Sequence, residues 1–345
     1  MPDLTPQWPL AWSIPVFVTA GLLTVVGSIR MAGLGDTLAD RTGWGEAVFG
    51  AVFFGLATSL SGIVMTAVTA ASDQPQLAYS NAVGGIAAQT AAVAVADMFY
   101  RRVNLEHASA SLSNILFGCV LIALLALALL ATYTPDVTVA EVHPVSLVMI
   151  GCYLGGIRMV RVADARPMWD AVDTRETRRD TPQSHGSLDR VSTRGLWGRF
   201  LAVGLSVGVG GWAIGAAAEG IVEATGLKAG FVGGVLMGMV NALPETVTAI
   251  AAVRRGAITL AIAAIIGGNC LDALNLVVGD AAFRGGSLFH AAQTDELFVT
   301  AAGLFMTAVV LAGMLVRQPR GWGRVGFEGV LLLGSYLAIV AVLAT

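Results

Sequence analysis

Runs of roughly 20 apolar residues recur along this chain, and that length limits its possible folds most, because each run is long enough to cross a bilayer. Ten are legible: about 11–32, 47–71, 79–99, 111–132, 144–161, 198–221, 229–252, 257–279, 297–316 and 325–344. Hydrocarbon offers no water to backbone N–H and C=O groups, so such runs fold as helices that bond internally. Of the 345 residues, 56% are hydrophobic and 12% charged, against about 25% charged in soluble domains. The expected fold class is an all-α polytopic membrane protein with the lipid bilayer as its surroundings. The opening segment, MPDLTPQWPLAW, has no basic residue ahead of the first run, so no cleaved signal peptide is expected.

Two runs carry a carboxylate deep inside, Glu245 and Asp272. A charge near the middle of a bilayer costs at least a few kcal/mol, which marks it as functional by default. Asn241 precedes Glu245 by four residues and Asn269 precedes Asp272 by three. On helices each pair therefore presents its oxygens on one face. Pro244 removes an intrahelical hydrogen bond just before Glu245 and is expected to interrupt the helix, freeing carbonyls for a cation or water. Four oxygen-bearing side chains on two interrupted apolar helices make a candidate cation site. The alternative for Asn241 and Asn269 is polar glue between helices, about 1 kcal/mol each. No basic residue lies within a span at the depth of Glu245, so a structural ion pair is not expected there.

Charge placement predicts orientation. Arg30, Arg41, Arg101, Arg102, the nine Arg from Arg158 to Arg199, Arg254, Arg255, Arg317, Arg320 and Arg324 all fall on one side if both termini lie outside. Lys228 and Arg284 fall on the other. The positive-inside rule makes the arginine-rich side cytoplasmic. Such runs read as solvated, topology-setting loops, and nothing supports nucleic-acid binding. The one polar block, about Arg161–Arg194, reads as a flexible connector. Domain boundaries follow: a first five-helix repeat at 1–161, a cytoplasmic linker at 162–196 and a second repeat at 197–345.

The repeat itself is visible when the chain is shifted by 183 residues. Thr42-Gly43 falls on Thr225-Gly226, Gly50 on Gly233, Gly55 on Gly238, Gly84-Gly85 on Gly267-Gly268, Asp97 on Asp280, and Gly151 and Tyr153 on Gly334 and Tyr336. Because five is odd, the second repeat is inverted in the membrane, an architecture that places a transport site at the repeat interface.

The segments ALPETVTAI (Ala242–Ile250) and IIGGNCLDALNLVVG (Ile265–Gly279) resemble the second α-repeat of the sodium/calcium exchanger and cation/proton antiporter superfamily. That family's pattern is GTSLPELVTS followed by GNxxGSNIFN/D. ATSLSGIVMTAV (Ala57–Val68) and SNAVGGIAAQT (Ser80–Thr90) stand at the corresponding places of the first half. The resemblance implies that Glu245 is the ion-coordinating glutamate and that Asp272 closes the second element as another ligand. Thr58 and Ser59 keep the family's Thr-Ser in the first repeat, while Asn241 and Ala242 replace it in the second. The departures lie in the first repeat: Gly62 stands for the glutamate, Ser61 for the proline, Ile86 for the GSN asparagine and Gln89 for the closing acid or amide. Both central carboxylates therefore come from the second repeat. Calcium takes about six to eight oxygens with strong negative charge. The family predicts a cation antiporter without fixing which of Ca²⁺, Na⁺ or H⁺ is exchanged.

Glu245, Asp272, Asn241, Asn269, Thr58, Ser59 and Gln89 are the candidate ion ligands. By resemblance, the first and sixth helices slide or rock to alternate access, in a multi-pass plasma-membrane protein. No enzyme activity, cofactor or protein partner is expected. The single cysteines Cys119, Cys152 and Cys270 lack metal spacing and read as buried thiols. The four histidines fall in loops or span ends and are not expected to assemble a metal site. Asp97 and Asp280, at span ends, are expected to sit beside loop water. Two alternatives remain: loss of half the family's charged ligands leaves a non-transporting relative acting as a membrane scaffold or sensor, and a cation channel is less expected because no pore-lining ring or filter sequence is visible.

Overall fold

A computed structural model describes residues 8–42, 55–100, 103–169, 172, 191–255, 258–318 and 326–345. Most of the connector expected at 162–196 lies outside these residues, as do Arg101 and Arg102. Among the described residues the protein is all helix. The first half comprises α1 (Leu10–Thr42), α2 (Gly55–Ala71), α3 (Pro75–Phe99), the short α4 (Leu105–Ser109), α5 (Leu112–Ala131) and α6 (Pro144–Ala165). The second comprises α7 (Thr193–Thr225), a short α8 (Ala229–Phe231) running through π-helical turns at Val232–Met237 into α9 (Gly238–Arg255), α10 (Ile258–Ala282), the short α11 (Leu288–Ala291), α12 (Thr294–Val316) and α13 (Phe327–Leu343). Each of the ten expected spans meets a helix. Eight are long and apolar enough to cross a membrane, and the helices at Thr58–Ala71 and Phe327–Leu343 are shorter.

The halves are copies in space as well as in sequence. Starts at Leu10, Leu105 and Pro144 recur at Thr193, Leu288 and Phe327, each 183 residues on. The fold is two inverted five-helix repeats. Local signals set several ends: Ser111 and Ser192 accept from the backbone N–H of Asn114 and Gly195, both at 3.2 Å, as helix N-caps do. Gly226 ends α7 at φ 69°, a left-handed cap that glycine adopts without strain.

The helices α3 and α10 form the centre. Nearly every residue of α3 from Pro75 to Asp97 is buried, which requires small side chains because helices in lipid associate through close packing. A close backbone crossing joins α3 to the π-helical turns. A Cβ on Gly84 would lie 2.1 Å from the Gly234 carbonyl oxygen, so only glycine fits. The long helices α1 and α7 pack side by side outside this centre and turn Leu22, Leu23, Leu201, Leu205 and Val209 outward, as lipid-facing surfaces should.

Three sequence expectations need correction. The helix is not interrupted at Pro244: α9 runs through it, and the departure from α geometry comes upstream at Val232–Met237. Likewise α10 is continuous past Asp272. Asp97 and Asp280 do not sit beside water but are buried, capping the N–H groups of Leu105 at 2.7 Å and Leu288 at 3.0 Å. Each serves the short helix that follows its span. Finally, Cys119 is exposed on the outer surface rather than buried.

Candidate functional site

Four helices bring the candidate ligands to one buried place: α2 with Thr58 and Ser59, α3 with Gln89, α9 with Asn241 and Glu245, and α10 with Asn269 and Asp272. All seven are buried, with exposure of 1% or less. All seven sequence-predicted residues thus lie on the four helices that converge at the centre.

Asp272 is the hub. Its Oδ2 accepts hydrogen bonds from Gln89 Nε2 and from Asn241 Nδ2, the latter at 3.1 Å, and its Oδ1 accepts from Asn275 Nδ2 at 3.2 Å. Gln89 and Asp272 are themselves counterparts, 183 residues apart, so the pseudo-two-fold axis relating the repeats passes near their contact. Asn269 donates through Nδ2 to Thr90 Oγ1 at 2.9 Å, and Thr90 Oγ1 in turn donates to the Ile86 carbonyl at 2.7 Å. The Thr58 hydroxyl engages Glu245, and Ser59 faces Asp272.

With their N–H groups committed in this way, the amides leave their oxygens bare. Asn241 Oδ1, Gln89 Oε1, Asn269 Oδ1 and Asn275 Oδ1 are buried without a hydrogen-bond donor, and the Glu245 carboxylate accepts no amide N–H, with only the Thr58 hydroxyl approaching it loosely. A buried acceptor with no partner costs about 1–3 kcal/mol, more when charged. Concentrating several in one place is stable only if a cation, a proton or buried water joins them. Among the described residues no basic side chain does so, and no group of three or more His, Cys, Asp and Glu side chains could hold a metal ion. The donor set is therefore mostly neutral oxygen with two acids, suited to a weakly held, exchangeable cation or proton rather than a structural metal.

Gly268 borders this set: a Cβ there would meet Gln89 Oε1 at 3.5 Å and Glu245 Cγ at 3.7 Å, ordinary contact distances that place α10 against α3 and α9. Two participants escaped sequence reasoning. Asn275 follows Asp272 by three residues, a one-face spacing that could have revealed it. Asn81 donates to the Gly62 carbonyl at 3.2 Å and to Thr66 Oγ1 at 2.9 Å, and its signal is that it falls on the first asparagine of the family's GNxxGSN pattern. Two histidines do meet, His143 and His290, with ring centroids 5.4 Å apart. His143 Nδ1 and Nε2 are occupied by Val145 N–H and the Thr134 hydroxyl, and His290 Nε2 by the Thr134 carbonyl, while His290 Nδ1 lies 3.6 Å from Asp136 Oδ1.

Comparison with known proteins bears on the family and the fold. The family model described as sodium/calcium exchanger protein matches residues 12–160 and 195–345. No curated protein matches the chain. Among solved structures, the H⁺/Ca²⁺ exchanger CAX superposes with a TM-score of 0.67 at 13% identity, covering 98% of this chain and 86% of that one. YfkE gives 0.60 at 16% identity, covering 98% and 93%. The sodium-calcium exchanger NCX_Mj, soaked with 10 mM Na⁺ and 10 mM Sr²⁺, gives 0.58 at 17% identity, covering 96% and 98%. At such identities the superpositions speak to the fold, while the family match spans both repeats: the chain belongs to the sodium/calcium exchanger family.

Proposed function

We propose that this protein is a secondary cation antiporter, exchanging Ca²⁺ or Na⁺ for Na⁺ or H⁺ by alternating access to one site between α2, α3, α9 and α10. The observation that carries the reading is the set of donor-less buried oxygens around Glu245: a bound cation would supply the missing positive partner. Glu245 is the ligand best placed for coupling, since its two oxygens carry charge without accepting an amide N–H. A cation and a proton would compete for it, so arrival of one releases the other. Asp272, held by three amide N–H groups, would position the ligand ring and balance charge.

In this reading residues 1–161 and 197–345 are the two repeats and 162–196 the linker between them. The paired helices α1 and α7 would shift against the centre to open it to each side in turn. The arginine-rich face would be cytoplasmic and both termini outside, in the plasma membrane. The solved relatives are described as H⁺/Ca²⁺ and sodium-calcium exchangers, which supports this choice of ions. A second reading rests on Gly62: with no first-repeat carboxylate, the protein would no longer transport and would serve as a membrane scaffold or sensor.

Flux in proteoliposomes separates the two. Under an imposed Na⁺ or pH gradient the wild type should accumulate Ca²⁺, or Na⁺ under a pH gradient, and Glu245→Gln should reduce uptake at least about 100-fold, to background. A wild type that moves neither ion under either gradient would sink the antiporter reading.

A further inference from the structure

We propose that Asn241 occupies the place that a side chain at position 62 would take, and so sets the site's preference toward monovalent cations. The inference rests on the antiporter reading and adds the charge class of its cargo. The two repeats make Gly62 the counterpart of Glu245, 183 residues away. A Cβ built on Gly62 would lie 2.5 Å from Asn241 Oδ1 and 2.9 Å from both Asn241 Cγ and Nδ2. On the other side, a Cβ on Gly85 would lie 2.7 Å from Asn241 Nδ2. The amide is thus wedged between two glycines, in the space that the symmetric carboxylate would need. Gly62 and Asn241 are one device: the amide fits only because position 62 has no side chain.

The orientation of that amide matters. Nδ2 is turned to Asp272 Oδ2 at 3.1 Å, which leaves Oδ1 bare and buried near Gly62. A neutral carbonyl-type oxygen therefore stands where twofold symmetry would put a charged one. Of the two remaining carboxylates, Asp272 already accepts three amide N–H bonds. Only Glu245 offers an undivided charge. Calcium affinity rises with the number of charged ligands, whereas neutral amide and carbonyl oxygens suffice for a singly charged ion. Polar glue alone would not require the amide oxygen to remain bare.

The test is calorimetric titration of the purified full chain with NaCl and with CaCl₂, for wild type, Asn241→Asp, Gly62→Ala, Asn241→Ala and the Gly62→Ala/Asn241→Ala pair, each checked for a retained unfolding transition. The wild type should bind Na⁺ in preference to Ca²⁺. Asn241→Asp should move the Ca²⁺/Na⁺ affinity ratio toward Ca²⁺ by about tenfold or more, since it adds one ligand charge. Gly62→Ala reads the same contact from the other side: it should weaken Na⁺ binding in the wild type and have no further effect once Asn241 is Ala, a coupling the double variant measures. An unchanged ratio in Asn241→Asp, or a wild type that prefers Ca²⁺, would overturn this inference and leave the antiporter standing. A wild type that binds neither ion would overturn both.

Discussion

Positions 62 and 245 are counterparts in two copies of one five-helix unit, yet one holds a glycine and the other a buried glutamate. The same is true of Gln89 and Asp272, which face each other across the axis and hydrogen-bond. Backbone architecture has been kept in both halves while the charged groups have collected in one. The contrast teaches that the fold does not depend on a symmetric ligand set. Helix starts at Leu10, Leu105 and Pro144 are repeated to the residue, because they are set by apolar length, small-residue crossings and caps. The ligand ring, in contrast, needs only enough oxygens in one place, whichever repeat supplies them.

The largest expected effect comes from the glycine pairs shared by the repeats. A Cβ on Gly84 would meet the Gly234 carbonyl oxygen at 2.1 Å and its Cα at 2.4 Å, both backbone atoms that cannot swing away. Its counterpart Gly267 has nothing within 4 Å of such a Cβ. Gly84→Ala should therefore lose at least about 3 kcal/mol, the upper range for overpacking, and give little folded protein. Gly267→Ala should be near neutral and, at a helix interior, gain a few tenths of a kcal/mol. Comparing unfolding midpoints in detergent checks both. Equal midpoints would show that the glycine motif is conserved between repeats for something other than this crossing.

The next effect concerns the two capping aspartates. Asp280 uses both oxygens, accepting from Leu288 N–H at 3.0 Å, His143 N–H at 2.8 Å and Ser146 Oγ at 2.7 Å. Asp97 accepts from Leu105 N–H through Oδ1 and faces the Gly326 N–H more loosely. An asparagine at 280 would turn an N–H₂ toward donors. Asp280→Asn should lose about 1–3 kcal/mol, the cost of leaving buried groups unpaired. Asp97→Asn keeps its one good acceptor and removes a charge that lies near Glu106, so it should be neutral or slightly stabilising. Thermal unfolding of the two variants side by side decides; a greater loss at 97 would reverse the ranking.

How much of this was legible follows from what each feature depends on. The ten spans and the repeat register were readable, since both are written in local composition and in spacing along the chain. Glu245 and Asp272 stood out because a carboxylate in an apolar run is rare enough to be a signal by itself. The place of Asn241 was not readable, because it depends on one amide lying where side chains at Gly62 and Gly85 would otherwise begin, a contact between repeats that no local pattern encodes. The same holds for the π-helical turns: Pro244 is the obvious breaker, but a proline can remain in a membrane helix when side chains re-satisfy the backbone. The missing N–H of Pro244 leaves the Val240 carbonyl, four residues earlier, without its helical partner, and α9 nevertheless continues through it. Asp97 and Asp280 were misread as wet because span ends look alike from sequence, whether the next segment turns back into the protein or out into water.

The smallest expected effect tests where the halves differ most at their rims. Beside Asp97, Glu106 and Glu328 are buried against Gly313, whose Cβ would lie 3.3 Å from Glu106 Cγ and 3.0 Å from Glu328 Cγ. Their counterparts beside Asp280 are Phe289 and Val145, so one rim is acidic where the other is apolar. Glu106 lies on α4, between spans, and burial pushes its carboxyl well above the usual range, with the negative charges of Asp97 and Glu328 adding to it. A raised value in the folded state means the neutral form is favoured by folding. That stability is fully present below the unfolded carboxyl value of about 4.3 and is lost as pH rises through the folded one. Glu106→Gln mimics the neutral form at every pH. Its unfolding midpoint should match the wild type in acid and exceed it by a few degrees in alkali, about 2–4 °C for each kcal/mol in a domain of this size. Midpoints recorded from pH 4 to pH 9 would show the two curves diverging upward from the acid end; parallel curves would mean that the Glu106 carboxyl does not titrate with folding, and the acidic rim would then be held neutral by another group.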